Sequence, residues 1–239
     1  AADAIEACFL ALARKSSSQW IFEADIKSCF DKISHQWLQD NIPMDKDILR
    51  KWLAAGYVDD GILHQTTEGT PQGGIASPTF LNLTLHGLEA AVINATSKHK
   101  DKVHLSIYAD DFIITGSSKE VLEQKVKPVV ESFLLERGLE LSKEKTKITH
   151  IDDGFDFLSF NVRKYKGKFI TKPSKKSIKH FLSGIREIIK SNPTATTENL
   201  IRLLNPKIRG WANYFRHSCA KRTFNYVDSC IYKALWRWI

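Results

Sequence analysis

Apolar residues recur at helical spacing at Ile5, Phe9 and Leu12 and stop at Ser16-Ser17-Ser18, which predicts one amphipathic helix at the start of the chain. QWIFEADI (19–26) then reads as a buried strand. Ser34 is placed to cap a helix through Leu38, and Asp45 to cap DILRKWLAA, with Gly56 as its stop. After the Gly/Pro-rich EGTPQGGIASP comes a largely apolar helix, TFLNLTLHGLEAAV, followed by two β-rich runs, VHLSIY and FIITG, joined by Ala109-Asp110-Asp111 as a hairpin. A helix over roughly 119–137 ends at Gly138, and short strands are expected near ELS, KTKITHI and FDFLSFNV. Strands and helices so intermingled predict an α+β sheet with helices on one face.

From Arg163 the composition changes. VRKYKGKFITKPSKKS is basic and turn-rich, and three helical stretches follow at about 174–190, 196–216 and 221–238. Ile208, Trp211 and Phe215 form one apolar stripe, and Phe224, Val227, Ile231, Leu235 and Trp238 another. The expected organisation is therefore two domains, 1–162 and 163–239, the second helical with its lysines and arginines outward. No internal repeat or low-complexity tract interrupts either.

The 239 residues, 43% hydrophobic and 26% charged, can bury a sizeable core, which excludes a disordered chain. No run approaches the roughly 18 consecutive apolar residues of a membrane span, and the first residues lack a basic n-region, so an intracellular, cytoplasmic protein without membrane attachment is expected. Cys8, Cys29, Cys219 and Cys230 have no CxxC spacing and the histidines no HExxH pattern, which leaves no signal for disulfides or zinc. The net charge of +8 is unevenly shared. Residues 1–160 hold 17 Lys/Arg against 24 Asp/Glu, a net −7, whereas residues 161–239 hold 18 against 3, a net +15. A basic half that also carries Tyr165, Trp211, Tyr214, Phe215, Tyr226, Trp236 and Trp238 points to nucleic acid as partner, with a solvated lysine-rich helical bundle as the bland alternative.

Three aspartate pairs occur, and most such pairs are solvated turns. Asp110-Asp111 differs because apolar strands flank it closely, placing two carboxylates at a tight bend beside the core. Such carboxylates raise each other's pKa unless a cation neutralises them. Asp25, at the end of WIFEAD, supplies a third if the two strand elements are neighbours in one sheet. The set is then an all-oxygen site suited to Mg²⁺, two ions of which can activate a 3′-hydroxyl and stabilise a leaving pyrophosphate. A capping Asp25 unrelated to the turn pair is the bland alternative.

Asp25-Ile-Lys-Ser-Cys-Phe-Asp, Gly69-Thr-Pro-Gln-Gly-Gly and Tyr108-Ala-Asp-Asp fall in the order and approximate spacing of reverse-transcriptase sequence blocks. With GLELSKEKTKI (138–148), FDFLSFNV (155–162) and RGWANYFR (209–216), the chain strongly resembles the reverse transcriptases of group II introns, also called intron maturases. YADD alone is only suggestive; the ordered set is highly specific and covers almost the whole chain.

The resemblance implies a right-hand polymerase: an antiparallel palm with a remnant of fingers over 1–162, and an all-α basic thumb from 163. By motif match Asp25, Asp110 and Asp111 would hold two Mg²⁺ ions with the Ile26 carbonyl, and the amides around Lys27, Ser28 and Cys29 would lie beside the triphosphate. Phe30 matches the aromatic that closes the space below the incoming sugar, where a 2′-hydroxyl would clash, although apolar residues near strand ends usually only pack. Gln72, with Gly73, matches the loop near nucleotide and template; without a GK[ST] ending this is no P-loop. Lys145 resembles the proton donor to departing pyrophosphate, with Lys143 close enough to compete. Lys175, Lys176 and Lys179, and then Arg209, Arg216, Lys221 and Arg222, are the candidates for gripping nucleic acid.

The expected activity is RNA-directed DNA synthesis from deoxynucleoside triphosphates, with RNA template and DNA primer as partners and structured intron RNA as a further ligand. A splicing cofactor with an idle polymerase site is the alternative; RNA synthesis is disfavoured by Phe30. Two departures bear on this. Ser28 stands where relatives often have glycine, a change expected to matter little. The chain also starts inside a family block and stops inside a predicted helix, so it reads as a fragment lacking most of the fingers.

Overall fold

The first amphipathic segment forms α1 (Ala2–Leu12), but it buries Cys8 and Leu12 while Phe9 stays 51% exposed. The computed structural model describes residues 1–239 apart from Asp60, Gln65, Thr67, Pro71, Gln72, Gly73 and Ile239, and it divides into two units, Ala1–His150 and Ile151–Ile239. The change of composition at 163 falls inside the second unit.

In the first unit α1 is followed by β1 (Trp20–Ala24), α2 (Cys29–Lys32), α3 (His35–Asn41) and α4 (Lys46–Ala54). The Ser34 hydroxyl accepts from the Trp37 amide, and Asp45 accepts from the amides of Asp47 and Ile48, so both caps satisfy otherwise orphaned helix N–H groups. A small hairpin of β2 (Tyr57–Asp59) and β3 (Ile62–His64) comes next, too short to leave a periodic signal. The helix expected over 79–92 is two helices, α5 (Ser77–Leu85) and α6 (Leu88–Asn94), because Gly87 takes φ 90°, a left-handed conformation that breaks the α-helical run and that only glycine adopts cheaply. β4 (His104–Tyr108) and β5 (Asp111–Gly116) form the expected hairpin. α7 (Lys119–Val121) continues through a π-helical turn, Leu122–Val126, into α8 (Lys127–Leu135), and β6 (Lys147–His150) ends the unit.

The main sheet runs β4-β5-β1-β6, antiparallel throughout, with Phe22 opposite Ile114 and Ala24 opposite Phe112. Side chains alternate across a strand, so Phe22, Ala24, Phe112 and Ile114 share one face. They pack with Leu38, Leu49, Leu81, Leu88, Val126 and Leu134 into the core under the main helical layer. The other face is not bare. Ile21 and Ile113 are buried there, and the Cys8 thiol of α1 bonds to Ser106, which the register puts on that side. Arg137 ties the helices from within: its guanidinium lies over the Phe133 ring at 3.4 Å and donates to the carbonyls of Thr84 and Phe133.

The second unit opens with a three-stranded antiparallel sheet, β7 (Phe155–Phe157), β8 (Phe160–Tyr165) and β9 (Lys168–Pro173). β9 replaces the turn-rich stretch read from the sequence. Its hairpin turn is Lys166-Gly167, with φ 51° and 77°, the two positive values that a type I′ turn requires. The strand period in β8 is hidden because its inward position after Val162 is Lys164, only 5% exposed, whose pKa burial lowers and Asp152 draws back up. Three helices follow, α9 (Lys175–Ser191), α10 (Thr197–Phe215) and α11 (Lys221–Trp236). Leu182, Ile185 and Ile189 of α9 meet Leu200 and Leu204 of α10 and Val227 and Ile231 of α11 in a separate core. Trp211 stacks on Phe181 at 4.6 Å, and Phe215 meets the Phe160 ring edge-on at 4.7 Å. Among the described residues no helix is long and apolar enough to cross a membrane.

Candidate active site

The β4–β5 connection is as short as a hairpin allows. Tyr108 pairs with Asp111, leaving Ala109 and Asp110 as the two turn residues, and Ala109 takes the positive φ, 55°, that brings the strands back with their own twist. Asp25 directly follows β1, one step beyond the registered pair Ala24–Phe112, and Asp111 is one step beyond it on β5. Both backbones thus end at the same edge of the sheet. Alternation sends their side chains to the face opposite the main core. Antiparallel order brings together residues 86 positions apart because β5 is sandwiched between its hairpin partner and β1.

The electrostatics register this crowding. The Asp111 carboxyl is held above the usual carboxylate value, first by the protein packed around it, then by the charges of Asp110 and Asp25, with Lys145 opposing. Lys145 Nζ lies 3.3 Å from Asp25 Oδ2 and 3.4 Å from Oδ1. Its loop is fixed against the aspartate by the Ser142 amide, which donates to the Asp25 carbonyl at 2.7 Å, and by an antiparallel bridge between Ile26 and Leu141. Lys143 instead lines a cleft with Lys127, Glu131 and Leu135.

Hard oxygen donors that repel one another are the donor set a divalent cation neutralises, so the residues fit such an ion by chemistry. As the side chains stand, with Asp25 turned to Lys145, no group of three or more His, Cys, Asp or Glu among the described residues is gathered into a ligand cluster.

The residues after Asp25 are more constrained than the sequence indicates. Lys27's amide already donates to the Glu140 carbonyl at 2.9 Å, so it is not free for a triphosphate, and Lys27 can face one only through its exposed ammonium. Ser28, ahead of α2, sits at φ 47°, ψ 48°. A serine there carries left-handed strain of roughly 1–2 kcal/mol, which glycine avoids. The change from glycine is therefore not neutral. Ser28→Gly is expected to raise the unfolding free energy of this unit by about 0.5–1 kcal/mol after allowing for glycine's looser unfolded chain, read as a higher denaturant midpoint. Cys29 is buried, and its thiol is pushed up to about 12 by that burial and then by Asp110, Asp25 and Asp31, so it is no nucleophile. Phe30 is half-buried, packed along the edge of the main core. Gln72 and Gly73 lie outside the described residues.

In the second unit Lys175, Lys176 and Lys179 are exposed on the first turns of α9, and Arg209, Arg216, Lys221 and Arg222 are exposed on or beside α10 and α11. Lys175 and Lys179 share a groove with Arg186 and Tyr226. Arg186 is legible in the sequence as a continuation of the 175–179 helical stripe; Tyr226 comes from another helix and is brought beside it only by the fold.

The reverse transcriptase (RNA-dependent DNA polymerase) family matches residues 3–162, and the group II intron maturase-specific domain matches residues 178–239. The group II intron-encoded protein LtrA of Lactococcus lactis subsp. cremoris is 30% identical, over 72% of this chain and 39% of its own length. YkfC of Escherichia coli K12 is 25% identical over 65% of the chain and 50% of its own. The chain thus spans half or less of these relatives. Among solved structures, telomerase from Candida albicans in complex with a fragment of telomeric RNA superposes with a TM-score of 0.52 at 14% identity, covering 95% of this chain and 42% of the telomerase. Telomerase from Candida tropicalis gives 0.52 at 15%, covering all of this chain and 50% of the other. At such identity the likeness shows a common polymerase fold. With one family covering 160 of the 239 residues and its intron-specific partner domain following in order, the chain belongs to the group II intron reverse transcriptase and maturase family.

Proposed function

We propose that this chain carries the palm and thumb of an RNA-directed DNA polymerase that extends a DNA primer on an RNA template, and that its basic helices also hold structured intron RNA. The observation that carries the reading is the placement of Asp25, Asp110 and Asp111 at one end of the sheet, where burial first and then the charges of Asp110 and Asp25 raise Asp111 while Lys145 stands 3.3 Å from Asp25. A surface used only for binding gains nothing from such clustered repulsion. The maturase-specific match over 178–239 supports the RNA-binding role alongside it.

Asp25, Asp110, Asp111 and the Ile26 carbonyl would hold two Mg²⁺ ions, which when bound supply acidity at the attacking 3′-hydroxyl and charge neutralisation at the leaving pyrophosphate. The remaining work falls to the chain. Ser28 and Cys29 amides and the Lys27 ammonium would face the triphosphate, Gln72 and Gly73 keep only the nucleotide and template role that the motif match implies, and Lys145 would pass a proton to the departing pyrophosphate oxygen as the bond from phosphorus to it breaks. Swinging Lys145 from Asp25 to that oxygen frees the carboxylate in the same movement.

Phe30 closes the space beneath the sugar. Shortening it to valine is expected to raise ribonucleotide use relative to deoxynucleotide use by roughly tenfold or more, seen as a change in the ratio of kcat/KM values. An unchanged ratio with a lowered Tm would leave Phe30 a packing residue. The function itself is tested by primer extension on an RNA template with Mg²⁺, in the full-length protein and in this chain alone. Intron RNA binding without extension in the full-length protein would favour a splicing cofactor.

A further inference from the structure

Glu68-Gly69-Thr70, the entry to GTPQGG, lies flat against the backbone of residues 30–35. The Thr70 amide donates to the Phe30 carbonyl at 2.6 Å and the Gly69 amide to the Ile33 carbonyl at 2.8 Å, while Glu68 pairs with Lys32. Gly69, at φ 74°, is so close that a Cβ there would stand 2.4 Å from the Phe30 oxygen and 2.4 Å from the Asp31 carbonyl carbon. Only a glycine permits that approach, and it is set by backbone atoms, which cannot swing aside. Gly69 is buried and Thr70 is 2% exposed, so water cannot serve their backbone groups readily.

One carbonyl of this seam needs a partner from outside it. The Gly69 oxygen meets His35, whose ring Nε2 donates to it at 2.6 Å. A carbonyl only accepts, so this contact fixes the proton on Nε2. His35 in turn is immobilised as the first residue of α3, behind the Ser34 cap and with the Ser34 amide donating to the Arg137 carbonyl at 2.9 Å. The ring therefore presses the loop onto the segment that carries Phe30.

We propose that His35 is a positioning residue for sugar selection: by holding the Gly69 carbonyl it seats Thr70 on the Phe30 carbonyl, and so fixes together the floor under the sugar and the start of the loop that leads to Gln72. The proposal rests on the polymerase reading above. A ring that serves stability alone lowers Tm and total activity and leaves selectivity untouched; a positioning ring changes selectivity.

The test compares the full-length protein with His35→Ala and His35→Gln, the glutamine amide being able to donate from a similar reach. In His35→Ala the ratio of kcat/KM for deoxynucleotides over ribonucleotides is expected to fall about three- to tenfold, mainly through a lower KM for the ribonucleotide, with primer–template affinity unchanged. His35→Gln should restore it to within about twofold. A second measurement needs no activity: hydrogen exchange at the Gly69 and Thr70 amides should quicken in His35→Ala relative to β1 and return toward the parent rate in His35→Gln. Unchanged selectivity in an active His35→Ala overturns the proposal, as does unchanged exchange at the two amides. An inactive parent counts against the polymerase reading alone, and the exchange rates then decide whether His35 seats the loop.

Discussion

Asp110→Ala is expected to cut primer extension on an RNA template by at least about a thousandfold while RNA affinity stays within a few-fold of the parent. The two properties separate because they reside in different units: the carboxylates terminate strands of 1–150, whereas the net +15 lies in 161–239. Asp110 sits at the second position of a two-residue turn and is exposed, so its removal deletes a charge without opening a cavity. The same change removes one of the two charges that, after burial, hold Asp111 above its ordinary value, so without divalent ions the variant should melt no lower than the parent. Extension rates, a filter-binding titration and melts with and without Mg²⁺ check this. Retained extension would remove Asp110 from the chemistry, and an identical response of Tm to Mg²⁺ in both proteins would count against a shared ion.

Replacing Lys175, Lys176 and Lys179 together by glutamine is expected to weaken binding to primer–template by two to nearly three orders of magnitude near ~0.1 M salt. Each phosphate that is no longer neutralised lowers the steepness of log K against log salt by about 0.7–0.9, so the slope should become shallower by about 2–3. Stability should hold or rise slightly. All three side chains are exposed, and Lys175 and Lys176 occupy the first turn of α9, where the helix dipole disfavours cations and no acidic residue offsets them. Cations held where the helix gains nothing from them fit a surface shaped for phosphate. Titrations at several salt concentrations decide it: an unaltered slope would move the nucleic-acid track to Arg209, Arg216, Lys221 and Arg222.

Much of this architecture is legible wherever local chemistry and tertiary packing ask for the same residue. Ser34 and Asp45 read as caps because an exposed helix start needs a side-chain acceptor, and they serve as such. Asp110-Asp111 stands out from the other aspartate pairs because strands flank it at hairpin distance. The reading fails where one residue answers two demands. Lys164 fills an inward strand position that alternation reserves for an apolar side chain, so β8 and β9 look like a basic loop. Gly87 looks tolerable inside a helix, and its φ of 90° is chosen by packing. Ser28 gives no sign of a left-handed backbone, since serine avoids it when free to choose. The seam joining His35, Gly69 and Phe30 is invisible for a different reason: at least one partner in each of its hydrogen bonds is a backbone atom, and a sequence records side chains.

The π-helical turn between α7 and α8 concerns chain length instead of residue identity. There the Lys127 amide donates to the Leu122 carbonyl, five residues back, so one residue more than usual is absorbed in a single turn. The helix on either side keeps the bearing it would have in a shorter, regular version, and Leu122, Val126, Val130 and Leu134 all remain fully buried. A one-residue deletion within 122–126 is therefore accommodated by reverting to ordinary helix, with the flanking faces still inward. The same deletion inside α8 has no slack to draw on and would turn Phe133 and Leu134 by about 100° around the axis, away from the sheet. This stretch is a place where the chain can lose one residue without altering the core.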